Sequence, residues 1–145
     1  MADMGFTEAV RTVLSNYATF SGRARRAEYW WFTLFSFLMH GTLQIVDRMT
    51  SGGGTGWETG GPGLLDGLYS LAVLLPTIAV GVRRLHDVGR SGWWWLLVMI
   101  PVVGWVVLLY WTVRRGDMGP NAFGPDPISE DGSLGPSSIP YVPRR

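Results

Sequence analysis

Three stretches of this chain are nearly free of charge, and each is about long enough to cross a lipid bilayer. The first, residues 29–46 (YWWFTLFSFLMHGTLQIV), has 18 residues. The second, residues 64–82 (LLDGLYSLAVLLPTIAVGV), has 19, with one acid, Asp66, near its start. The third, residues 93–113 (WWWLLVMIPVVGWVVLLYWTV), has 21 and no charge. A hydrocarbon core of about 30 Å takes roughly 20 apolar residues of helix. Helices in the core of a water-soluble protein are rarely this long and uncharged. The expected fold is therefore all-α: a polytopic membrane protein with three transmembrane helices. A cleaved leader does not explain the first stretch, which begins late, exceeds the length of a leader's apolar region, and is followed by DRMTSGGG without a small-x-small site.

Composition narrows the chemistry. Hydrophobic residues make up 47% of the 145, an ordinary share, so their segregation into three blocks is what matters. Most of the 8 Trp lie at the block ends, where an amphipathic indole prefers the headgroup level. Cysteine is absent, which excludes disulfides and thiol catalysis, and two His without Cys argue against a structural zinc site. No metal, cofactor or nucleic-acid partner is expected.

All 12 basic residues are Arg, and their placement predicts orientation. Arg23, Arg25 and Arg26 precede the first span, and Arg83, Arg84 and Arg90 lie between the second and third. Arg48, Arg114 and Arg115 fall on the other side if three helices cross, giving six against three. That count favours a cytoplasmic N-terminus and an external C-terminus.

Outside the spans, residues 6–20 carry Phe6, Val10, Val13, Leu14 and Tyr17 at helical spacing, with Phe20 close behind. The pattern predicts an amphipathic helix, lying in the interfacial plane or docked on the protein's own helices. Residues 1–127 are read as the membrane domain. The glycine-rich TSGGGTGWETGGPG between the first two spans reads as a linker, and residues 128–145 as a disordered C-terminal tail.

Polar residues inside the spans fall on defined faces. Thr33, Ser36, His40, Gln44 and Asp47 lie within about 80° of one helix face, and Asp66, Ser70, Thr77 and Gly81 within about 60° of another. The first two spans are expected to face each other through these stripes, with Gly104, after Pro101, allowing a kink or close approach in the third. A histidine near mid-membrane is a functional candidate: His40 with Asp66 or Gln44 could relay a proton, line a polar cavity, or serve as interhelical glue.

The densest patterns flank the spans: FSGRARRAEYWWF at 20–32 and RRLHDVGRSGWWWLL at 83–97. Gly89 is placed to end one helix and Ser91 to cap the next. With IPVVG at 100–104 and FGPDP at 123–127, these segments resemble the bacterial domain of unknown function 805 family over roughly residues 10–127. The resemblance implies a small inner-membrane helical bundle and supplies no catalytic residues. Ala122 departs from the basic residue that relatives usually carry there.

Arg23, Arg25, Arg26, Arg83, Arg84 and Arg90 would gather at one leaflet, where guanidiniums suit bidentate phosphate binding. Anionic lipid headgroups are the nearest such partners, with a membrane-protein partner or a second copy as further options. Alternatively, the same arginines set topology and pair with Glu28 and Asp87. His86 and Asp87 are adjacent on a helix and do not face each other as a dyad; His86 is expected to bond a loop carbonyl or Glu28. No catalytic constellation accompanies them. The expectation is thus a non-enzymatic inner-membrane protein with a lipid- or partner-binding arginine face. A small oligomeric transporter or channel subunit built around His40 and Asp66 is the alternative.

Overall fold

A computed structural model of the chain describes residues 4–50 and 63–128. The glycine-rich segment 51–62 and residues 129–145, read above as linker and tail, lie outside the described residues. Among the described residues four α-helices are formed: α1 Phe6–Ser15, α2 Arg26–Thr50, α3 Leu64–Asp87 and α4 Val103–Val113. A 3₁₀ helix, Gly92–Met99, stands between α3 and α4. Among the described residues, α3 alone is long and apolar enough to cross a membrane by length and composition. The 25-residue α2 matches it in length but carries more polar residues.

α2 and α3 are antiparallel neighbours, tied at one end by a carboxylate. Asp47 of α2 accepts from the backbone N–H groups of Leu65 (3.2 Å) and Asp66 (2.9 Å), which the start of α3 leaves without helical partners. At the other end Arg83 of α3 lies 2.8 Å from Glu28 of α2. Pro76 sits inside α3 and has no N–H, so the carbonyl of Ala72, four residues back, loses its helical donor. The Tyr17 hydroxyl donates to that carbonyl instead.

Tyr17 can reach Ala72 because α1 docks on the protein's own helices. Ala9 and Val13 are buried, with Val13 clustered against Phe32 and Val80, and Phe6 packs edge-on against Trp31. This amphipathic segment thus packs on the protein's own helices. The reason is that its apolar face finds fixed aromatic side chains on α2.

The third apolar stretch corrects an expectation. Residues 93–113 do not form one helix. The 3₁₀ helix of 8 residues runs back along the end of α3, the chain turns at residues 100–102, and the 11-residue α4 returns. Val103 N–H donates to Pro101 O at 2.8 Å across Val102, whose φ of 65° and ψ of −70° are those of a tight, strained three-residue turn. The legs meet closely: any side chain at Gly104 would collide with the Leu97 carbonyl, Trp105 donates to Val98 O at 3.0 Å, and Trp94 packs on Trp111. Pro101 breaks the helical ladder and Gly104 lets the returning leg press against the first. Each leg spans about 16 Å, roughly half a bilayer's hydrocarbon.

Candidate functional site

The hairpin brings both ends of the third stretch to the end of the molecule where α2 begins and α3 ends. Gly89, at φ 68°, terminates α3, and the Ser91 side chain accepts from Trp93 N–H at 3.5 Å, so the turn chemistry read from GRSGWW is present. Residues 114–127 then fold over this same end. Arg114 therefore lies at the same end of the molecule as Arg23 and Arg84, with Arg115 following it, because the segment before them turns back on itself.

At the centre is Asp87, buried at 4% exposure between two guanidiniums. Arg23 Nε donates to Oδ1 at 2.9 Å, and Arg84 Nη1 donates to Oδ2. The rest of each guanidinium is bound to backbone carbonyls. Arg23 reaches Gly119 O at 2.6 Å and Asp117 O. Arg84, fully buried, reaches Thr112 O at 3.2 Å and Arg114 O, so it caps the last turn of α4. Arg83 and Glu28 form a second buried ion pair, close in distance but not aligned as a hydrogen bond. Arg25 Nε donates to Pro127 O at 2.9 Å.

His86 lies beside this knot. Its Nδ1 faces the Gly22 carbonyl at 3.0 Å, which requires an N–H there, and its ring stacks on Phe123 at 4.1 Å with planes 2° apart. Asn121 Nδ2 donates to the His86 carbonyl at 2.8 Å. The side chain thus bonds a loop carbonyl and makes no pair with its neighbour Asp87. Asp126 holds the covering loop together by accepting from Gly119 N–H at 2.9 Å and Ile128 N–H at 3.0 Å. Burial pushes its carboxyl up, but those N–H groups and the charges of Arg23 and Arg25 outweigh it and hold the carboxyl below its ordinary value.

Not every arginine enters the knot. Arg26, Arg90, Arg114 and Arg115 are exposed. Arg26 leans on Val113 O at 3.4 Å, and the Arg90 guanidinium lies 5.3 Å over Trp111. Three of these four therefore gather around the last turn of α4, and Arg115 follows directly. Thr112, Asp117, Asn121 and Phe123 belong to this end of the molecule and carried no signal as site residues, although FGPDP marked the neighbourhood.

The intramembrane candidates separate. His40 Nδ1 meets Asp66 Oδ1 at 2.5 Å, with the imidazole edge-on to Tyr69 at 4.9 Å. The contact joins the first turn of α3 to the middle of α2, about two turns before Asp47. Gln44, one turn on from His40, is exposed. Ser70 and Thr77 bond carbonyls of their own helix, and Gly81 packs under Trp95 of the 3₁₀ helix, not against α2. Among the described residues no group of His, Asp and Glu could hold a metal ion.

An all-helical bundle with apolar helices and an arginine-rich end defines a small integral membrane protein, and comparison with known proteins agrees. The profile of a family described as "Protein of unknown function (DUF805)" matches residues 17–125, and the chain belongs to that family. It is 46% identical over 119 residues to the Inner membrane protein YhaH of Escherichia coli (strain K12), covering 81% of this chain and 94% of the relative. It is 43% identical over 116 residues to the Inner membrane protein YhaI of the same organism, covering 80% and 92%. It is 35% identical over 104 residues to the Uncharacterized protein YiiR, covering 68% of this chain and 60% of that one. No solved structure matches. The inner-membrane character of the chain follows from these relatives together with its apolar helices.

Proposed function

We propose that α2 and α3 cross the bilayer, that the 3₁₀ helix and α4 form a re-entrant hairpin, and that the end they share faces the cytoplasm. The hairpin supports this reading by moving Arg114 and Arg115 to the near side. Arg23, Arg25, Arg26, Arg83, Arg84, Arg90, Arg114 and Arg115 then stand eight against one, Arg48, as the positive-inside tendency favours. The entry into α2 and the segment after Val113 are on the cytoplasmic side in this arrangement.

The function proposed for this face is non-enzymatic: it gathers anionic phospholipid headgroups. The observation that carries the reading is the division of labour among the arginines. Arg23, Arg83 and Arg84 are buried with Glu28 and Asp87, while Arg26, Arg90, Arg114 and Arg115 are exposed residues with no acid bonded to them among the described contacts. Each contributes about 1 kcal/mol of attraction to an anionic surface. The test is the lipid retained on purification. Replacing these four by Gln should remove enrichment of phosphatidylglycerol and cardiolipin over phosphatidylethanolamine, and unchanged enrichment overturns the reading.

A second reading is supported by the His40–Asp66 contact: a subunit of an oligomeric transporter that uses this pair. Solute or proton flux into vesicles that disappears in His40→Leu would favour it over the first.

A further inference from the structure

Between the first turn of α2 and the two legs of the hairpin lies an apolar cleft of about 210 Å³. Its walls include Tyr29 and Trp30 of α2, Trp95 of the 3₁₀ helix, and Trp105, Leu108 and Leu109 of α4. That volume takes roughly seven groups of water's size, a stretch of hydrocarbon chain but no headgroup. The indole N–H groups of Trp30 and Trp105 are already bonded, to Thr112 O at 3.3 Å and Val98 O at 3.0 Å. These two walls therefore offer carbon to whatever enters, which disfavours a polar ligand.

The charge lies at one end of the cleft. Arg26 precedes Tyr29 and Trp30 by three and four residues, so it shares their face of α2 one turn nearer the arginine end. It contacts Val113 O, next to Thr112 on the cleft wall and to exposed Arg114. Glu28 and Asp87, acids of the same end, are occupied by Arg83, Arg23 and Arg84. A phosphate there would meet cations whose counter-charge is not supplied by these acids.

We propose that cleft and cations form one inner-leaflet site for an anionic phospholipid, with an acyl chain in the cleft and the phosphate on Arg26 and Arg114. The proposal rests on the headgroup reading above and adds to it a defined seat for the chain.

The experiment uses the full chain in phosphatidylcholine nanodiscs doped with phosphatidylglycerol brominated along its acyl chain, which quenches nearby indoles. Brominated phosphatidylcholine at the same fraction is the control. Saturable quenching by the anionic lipid, stronger than by the control, is expected in the parent protein. Leu109→Phe keeps every charge and fills the cleft from a half-exposed position, and Val98→Phe does so from the facing wall. Either should weaken the preferential quenching about tenfold, the loss expected when roughly two methylenes no longer find apolar contact. Arg26→Gln should weaken it as well. Preference for the anionic lipid that survives both Phe variants overturns the cleft while leaving the headgroup reading intact. Equal quenching by the two lipids in the parent overturns both.

Discussion

The two ends of the α2–α3 pair each join carboxylates to cationic or polar partners, yet they are built differently. At the arginine end Asp87 is shared by two guanidiniums, and these also bond carbonyls from α4 and the loop after it. Five segments of chain converge there, and Arg84 has no exposed surface. At the far end Asp66 meets one partner, His40, whose side chain is 34% exposed, and Asp47 only closes the start of α3. A charge bonded on every side is a structural rivet, because removing any partner strands the others in a low dielectric. A charge with one partly exposed partner retains the freedom to change partners. The comparison therefore assigns stability to the end with more charge, and leaves any chemistry of the ion pairs to the end with less.

The largest effect that could break this comparison is Asp87→Asn. It leaves Arg23 and Arg84 buried without a counter-charge, and truncating a buried pair costs about 3–5 kcal/mol. The purified variant should show a markedly lower thermal midpoint in detergent, or fail to accumulate. A variant as stable as the parent would make the arginine knot dispensable. His40→Leu should cost less, about 1–3 kcal/mol, because it leaves one buried acceptor, Asp66, without its imidazole partner but strands no pair of cations. It should remain inserted at parental levels, with unfolding followed in the same detergent. A loss equal to that of Asp87→Asn would make the two ends alike and turn His40 into packing glue.

Much of this architecture was legible from residue pattern. α2 and α3 follow from long charge-free runs, and 3.6-residue periodicity put His40 and Asp66 on candidate facing stripes but left Asp66 or Gln44 open as the partner. The hairpin was not legible beyond a kink at Pro101 and Gly104. A stretch apolar on every face carries no periodic signal of which face packs, and a β-branched Val102 at positive φ runs against local preference. The pairing of the arginines with Glu28 and Asp87 could be anticipated from charge alone. Their bonds to the carbonyls of Thr112, Arg114, Gly119 and Pro127 could not, since a backbone acceptor leaves no trace in the choice of residue. The return of residues 114–127 to the arginine end depends on the turn at 100–102 and has no residue pattern of its own.

The smallest expected effect sharpens the comparison at its edge, in the loop that covers the knot. Asp126 is half-exposed, and its carboxyl is held below the ordinary 3.8 of an aspartate despite partial burial, by the Gly119 and Ile128 N–H groups and by Arg23 and Arg25. A folded value lower than the unfolded one means that its contribution to stability is fully present above 3.8 and is lost as pH falls through the folded value. The contribution is below about 1 kcal/mol for hydrogen bonds and charges this open to water. Amide exchange of residues 117–128 should therefore quicken on acidification in the parent protein beyond what intrinsic rates predict. In Asp126→Asn that protection should already be weak at neutral pH and change little with acid, while amides at the end of α3 stay protected in both. If the α3 amides open together with the loop, the cover and the knot are one cooperative unit, and the stability of this end depends on the segment after Val113 as much as on Asp87.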